Sequence, residues 1–187
     1  MDDLSLPEVR RLVSAANAVR QQRDISGSAM QSNGRCTERQ LDALFRTSYT
    51  LAVYGTLGPG QPNHHVVAPL GGEWTDGLIE GDLLPEGWAA ELGYPGFRPR
   101  VGGSDVAVQV LTAPSLTTAW PTLDRFEGPG YQRVLVPVFS TEFAPRQAGE
   151  RRLYTVANLY AATESLRGDG GHVGGAHEGE GGGEDLP

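Results

Sequence analysis

An α+β fold is what this sequence predicts. Five runs of β-branched and aromatic residues are separated by glycine and proline, two stretches with helical spacing precede them, and a glycine-rich acidic end follows them. Strand runs joined by short turns agree with one α+β domain from about Thr50 to Ala162. A chain of 187 residues with 39% hydrophobic residues suits one domain with a real core once the polar ends are set aside.

Taken in order, Pro7 to Arg23 sets Val9, Leu12, Val13, Ala16 and Val19 at helical spacing, which predicts an amphipathic helix. Asp24 to Arg35, rich in Ser, Gly and Asn, reads as a loop. Thr37-Glu38-Arg39-Gln40 then has the T-x-x-Q form of a capping box, opening a second helix through Phe45. These residues form a helical extension over 1–48. Its apolar stripe would be exposed if left alone, so docking on the rest of the chain is the first expectation; self-association through these helices, or partial mobility, is the alternative.

The domain over 49–163 carries strand runs at Thr50 to Tyr54, Leu78 to Leu83, Val106 to Leu111, Arg133 to Phe139 and Leu153 to Tyr160. Before the fourth, Ser115 caps a helical turn and Pro121 is expected to force a break ahead of Leu123 to Glu127. Glu127 then sits at a helix end, entering the Gly128-Pro129-Gly130 turn. The segment 164–187 is low-complexity from Gly168 on and cannot bury enough apolar area to offset its chain entropy, so it is expected to be disordered and dispensable. There is no internal repeat.

Charge and composition exclude several functions. The net charge is −8, and Glu164, Asp169, Glu178, Glu180, Glu184 and Asp185 against Arg167 alone supply five of those eight charges. What remains has no basic patch, which argues against nucleic acid as a partner. Every basic residue is arginine. Without lysine, a Schiff-base enzyme and a G-x-x-x-x-G-K-[ST] phosphate loop are both excluded. Cys36 is alone, so no intramolecular disulfide framework exists and a reducing compartment suits the chain. Met1-Asp2-Asp3 does not begin a signal peptide and no 18-residue apolar stretch spans a membrane, so the expectation is a soluble cytoplasmic protein.

Two motifs carry chemistry. Tyr54-Gly55-Thr56-Leu57 follows the apolar Leu51-Ala52-Val53 and continues through Gly58-Pro59-Gly60-Gln61-Pro62-Asn63-His64, so a strand ends in a glycine-rich turn whose amides can point into one pocket and bind an anion. Some seventy residues on, Leu123-Asp124-Arg125-Phe126-Glu127-Gly128 leads to Tyr131-Gln132-Arg133. Together, from about Thr50 to Ala162, they resemble the gamma-glutamylcyclotransferase family, in particular its gamma-glutamylamine cyclotransferase-like branch. The resemblance implies a mixed, barrel-like sheet with a few short helices. It also implies release of 5-oxoproline from a small-molecule gamma-glutamyl substrate, whose own alpha-amine attacks its gamma-carbonyl. Such a reaction needs no metal, cofactor or enzyme nucleophile, which fits a chain without a Ser/His/Asp set or a credible ligand cluster.

Glu127 matches the family's catalytic glutamate and would act as general acid/base; a carboxyl among Phe126, Pro129 and Tyr131 is a candidate for a pKa raised by desolvation. Tyr54, Gly55, Thr56 and Leu57 would supply main-chain contacts to the gamma-glutamyl group, with Gly55 allowing close approach. Tyr131 is a candidate pocket residue, as is Arg133, although both are equally well explained as strand residues. Asp124 reads first as a cap or an ion-pair partner of Arg125 or Arg133. His64 and His65, being adjacent, point apart on extended chain and do not chelate; His172 and His177 lie in the low-complexity end. Trp88, Tyr94 and Pro95 read as a substrate-side wall or as core. Val108 stands where family members commonly carry glycine, and would narrow the pocket. Gly58-Pro59 replaces a commonly basic pair. The competing readings are a non-catalytic ligand-binding or regulatory module on the same fold, and partner binding through the N-terminal helices.

Overall fold

Alternation of branched apolar residues along three of the predicted runs decides the architecture, because a period of two puts Val106, Val108 and Val110, Val134, Val136 and Val138, and Ala157, Leu159 and Ala161 on one face. The structure, a computed structural model, describes residues 4–25, 31–84, 96–141 and 151–163. Its strands are β1 (Thr50–Val53), β2 (Glu73–Leu84), β3 (Gly96–Pro99), β4 (Ser104–Thr112), β5 (Tyr131–Ser140) and β6 (Leu153–Ala162), in the order β3-β2-β4-β1-β6-β5. Strand β5 returns to β2 through Gly77↔Ser140 and Leu78↔Phe139, closing β2, β4, β1, β6 and β5 into a barrel. The β1–β6 pairing is parallel and the others antiparallel, so the sheet is mixed, as expected.

The three valine and alanine rows, with Ala52, Ile79 and Phe97, fill the barrel. Opposite parities face outward and need cover. Leu51, Val53, Leu111 and Tyr160 lie under helix α3 (Leu116–Glu127), which contributes Leu116, Trp120 and Leu123. Leu135 and Val156 lie under α1 (Leu6–Ile25) and α2 (Gln31–Phe45), which contribute Val9, Val13, Ala16 and Leu41. The helical stripe read from the sequence therefore docks on the barrel wall. Among the described residues no helix is long and apolar enough to cross a membrane.

The structure departs from the sequence reading in three regions. Pro121 does not break the helix: α3 runs unbroken from Leu116 to Glu127 with Pro121 inside it. An interior proline costs roughly 3 kcal/mol, but Leu116 and Leu123, on either side of it, are fully buried and contribute roughly 1.5–3 kcal/mol each. Ser115 does precede the helix, yet its hydroxyl donates to Leu70 O at 2.6 Å instead of capping. Second, α2 begins at Gln31, so 31–35 are helical rather than loop and Thr37 lies inside the helix instead of capping it; the preference of Ser and Asn for caps and turns is a weak prior that packing overrides. Third, β3 is a strand the sequence did not announce, four residues long, whose Phe97 ring occupies the place a Cβ on Gly81 would take. The expected disorder of 164–187 concerns residues outside those described, as do Trp88, Tyr94 and Pro95.

The β2–β5 seam is short, and α1 completes it. Beyond Phe139, the outward backbone groups of β5 meet no strand among the described residues. Asn17 replaces one. Its Nδ2 donates to Leu135 O and its Oδ1 accepts from Leu135 N, both at 2.8 Å, while Arg20 Nη1 reaches Arg133 O at 3.4 Å. Pro137, with the parity of Leu135, places its missing N–H at this same edge, where no ladder bond is lost. Arg10 anchors the other end of α1 on Glu80 of β2 at 2.6 Å. Buried Asn158 of β6 joins these layers: it accepts from Arg20 at 2.9 Å and donates to Thr47 O at 2.6 Å.

Candidate active site

Strand β1 stops at Val53, opposite Gln109, while β4 runs on to Ser104 with no β1 partner. A gap in the wall results. The chain leaving β1 folds across it and is held by its own backbone: Gly58 N donates to Gly55 O at 3.2 Å, Asn63 N to Thr56 O at 2.9 Å, and Asn63 Nδ2 to Thr56 Oγ1 at 2.9 Å. His64 Nδ1 lies 3.1 Å from Leu57 O and His65 Nδ1 3.1 Å from Pro62 O, so the two imidazoles serve different carbonyls. The main-chain N–H groups of Gly55, Thr56 and Leu57 have no partner among the described residues. Gly55 has negative φ, and a Cβ built on it meets nothing within 4 Å. Neither backbone strain nor packing in the protein demands glycine there; the open space in front of it is what a side chain would fill.

From the other side comes the end of α3. Gly128, at φ 72°, turns the chain so that Glu127 ends the helix and Tyr131 starts β5. The two motifs meet: a cavity of about 630 Å³ is lined by Tyr54, Gly55, Thr56, Leu57, Glu127 and Tyr131, together with Gln61, Asp76, Gly77, Val108, Gln109 and Tyr160. All six site residues expected from the sequence face it.

Burial pushes the Glu127 carboxyl up to about 7, since the charged form loses hydration and no described residue donates to it. Three tyrosines surround it, each held above its ordinary pKa first by burial. Tyr54 donates to Tyr160 O at 3.0 Å and Tyr160 donates to Asp124 Oδ1 at 2.7 Å, so both hydroxyls are committed. Tyr131 has no such partner among the described residues and keeps a free donor at the cavity.

Asp124 takes the structural role expected of it. Its carboxylate holds Arg133 through two contacts, at 2.8 and 3.1 Å, and the guanidinium lies 4.5 Å from the centre of the Trp120 ring. Arg133 thus braces α3 against β5 and does not line the main cavity. Val108 does line it, and its register partner is Gly77, so the added branch faces a position without a side chain. A Cβ on Gly77 would lie 2.5 Å from Val138 Cγ1.

Asp76, Gln109, Gln61 and Tyr160 are cavity residues that the sequence reading missed. Among the described residues no three His, Cys, Asp or Glu side chains gather as a metal site.

Comparison with known proteins gives a match of residues 51–172 to the family model described as gamma-glutamyl cyclotransferase, AIG2-like. No curated protein matches the chain. Solved structures similar to it include an AIG2-like protein from Mus musculus, 23% identical over 64% of this chain and 82% of that one, with a TM-score of 0.46. YkqA from Bacillus subtilis is 23% identical over 61% of this chain and 35% of its own, at 0.44. The uropathogenic E. coli-specific protein c4763 is 19% identical over 65% and 84%, also at 0.44.

Proposed function

Since the chain belongs to the AIG2-like gamma-glutamyl cyclotransferase family, we propose that it converts a gamma-glutamyl amide into 5-oxoproline and a free amine. The observation that carries this reading is the meeting of Glu127 with the Tyr54–Leu57 turn at one cavity. The alpha-nitrogen attacks the gamma-carbonyl carbon, the ring C–N bond forms, and the amide C–N bond to the departing amine breaks. Two protons leave the alpha-ammonium and two arrive on the departing nitrogen. Glu127, with a pKa of about 7, is suited to relay them, because a relay works best when its pKa lies near the working pH. One such group contributes ~10²–10⁴ in rate. The unpartnered N–H groups of Gly55, Thr56 and Leu57 would hold the gamma-glutamyl oxygens, and the free hydroxyl of Tyr131 would meet charge developing on the carbonyl oxygen. Fixing amine and carbonyl together supplies the larger share, on the order of 7–11 kcal/mol.

The test is 5-oxoproline release from a panel of gamma-glutamyl compounds by wild type and Glu127→Gln. Turnover by wild type and its loss by ~10² or more in the variant is the expected result. Binding without turnover in both would establish the non-catalytic module instead.

A further inference from the structure

Strand β2 brings one more carboxylate to the cavity. Asp76 is exposed on its wall, opposite Gln109 in the β2–β4 register. Other carboxylates nearby hold arginines: Glu80 pairs with Arg10, Asp82 with Arg100, Asp105 with Arg151 and Asp124 with Arg133. Asp76 has no hydrogen-bond or ion-pair partner among the described residues. Gln109 stands beside it with its amide close to the loop, its Oε1 being 2.6 Å from where a Cβ on Gly58 would lie. Side chains directly opposite on antiparallel strands are neighbours, at ~5 Å between Cβ atoms. No Arg or His lines the cavity among the described residues, and the chain has no lysine. Among the described residues, the ionisable carboxyl groups lining the cavity are therefore Asp76 and Glu127.

On the reading just proposed, the alpha-ammonium of the substrate belongs at Glu127, where it gives up its protons. Asp76 is left for the other end of the molecule. A carboxylate beside an amide oxygen suits an ammonium, which has three donors and no acceptor. We propose that Asp76, supported by Gln109, selects substrates whose departing amine carries a second, protonated nitrogen, and disfavours those ending in a carboxylate.

The experiment compares three gamma-glutamyl amides of equal length, made from 1,4-diaminobutane, pentylamine and 5-aminopentanoate, which end in an ammonium, a methyl group and a carboxylate. A solvent-accessible charge pair gives modest discrimination, so kcat/KM should favour the diamine amide over the pentylamide by about threefold to fivefold, with the carboxylate lower by a similar factor. Asp76→Asn should bring the diamine-to-pentyl ratio to within about twofold of one, and Asp76→Arg should invert the order. A wild-type preference for the carboxylate, or a ratio indifferent to both substitutions, overturns the assignment. Should none of the three be turned over, calorimetric affinities for the same amides give the same ordering test, so failure of the charge selection and failure of the reaction are read separately.

Discussion

Replacing Glu127 by glutamine separates what the carboxylate does for chemistry from what it costs the fold. The folded group titrates at about 7 against an ordinary 4.5, because burial disfavours its charge. A raised carboxyl pKa means that the folded state holds the proton more tightly than the unfolded one. The resulting stability is fully present below about pH 4.5 and is lost as pH rises through about 7. At about 1.4 kcal/mol per pH unit, the ceiling is about 3 kcal/mol. The cavity is open to solvent, which screens the charge, so 1–2 kcal/mol is the expected size, at the order-of-magnitude level. Glutamine keeps the shape and never ionises. Glu127→Gln should therefore match wild type near pH 4.5 and exceed it by about 1–2 kcal/mol at pH 8, or about 2–8 °C in Tm for a chain of this size. Denaturant titrations of both proteins from pH 4.5 to 8.5 measure this directly, because every other group cancels in the difference. Over the same interval the fraction of Glu127 able to accept a proton rises, so turnover should climb as stability falls. A stability difference flat in pH, or a variant weaker than wild type at pH 8, would show that Glu127 is solvated or paired and would remove the basis for its acid/base role.

Gly55→Ala fills open space at a negative φ, so Tm should move little while KM for a gamma-glutamyl substrate rises about tenfold or more; an unchanged KM would place the ligand elsewhere. Asn17→Ala leaves Leu135 N–H and C=O without partners and should cost about 1–3 kcal/mol in urea unfolding with kcat preserved. Asp124→Asn weakens the hold on Arg133 and Tyr160 and should cost about 1 kcal/mol, since the pair is half-exposed; its effect on kcat should be far smaller than that of Glu127→Gln, and the reverse ranking would mean the wrong carboxylate has been given the chemistry.

The site was legible to the extent that it is made of local chain. Tyr54–Leu57 follows a short apolar strand and Glu127 ends a helix that a glycine must terminate, and both signals are adjacent residues. Asp76 was not legible for a physical reason: the first residues of β2, from Glu73, are mostly exposed and polar with a glycine at 77, so the strand run visible in the sequence starts only at Leu78. Misplacing that boundary hid a cavity residue. Pro121 misled because helix propensity is local while the burial of Leu116 and Leu123 is not. The docking stripe of α1 was visible as a pattern, but not the role of Asn17, because the edge it serves lies 118 residues away.

That separation bears on the order in which the molecule assembles. Helix α1 leaves the ribosome before any strand of the barrel, and at about 5–20 residues per second its counterpart on β5 follows some 6–24 s later. Val156 of β6, the other half of its seat, comes later still. A helix synthesised ahead of every barrel strand is thus among the last elements to find its place, and the barrel must form around a seam that stays unguarded meanwhile. Bare strand edges recruit other strands. The newborn chain is accordingly most vulnerable to mispairing with its neighbours between completion of β6 and arrival of α1, and a segment cut to begin at β1 would keep that vulnerability permanently.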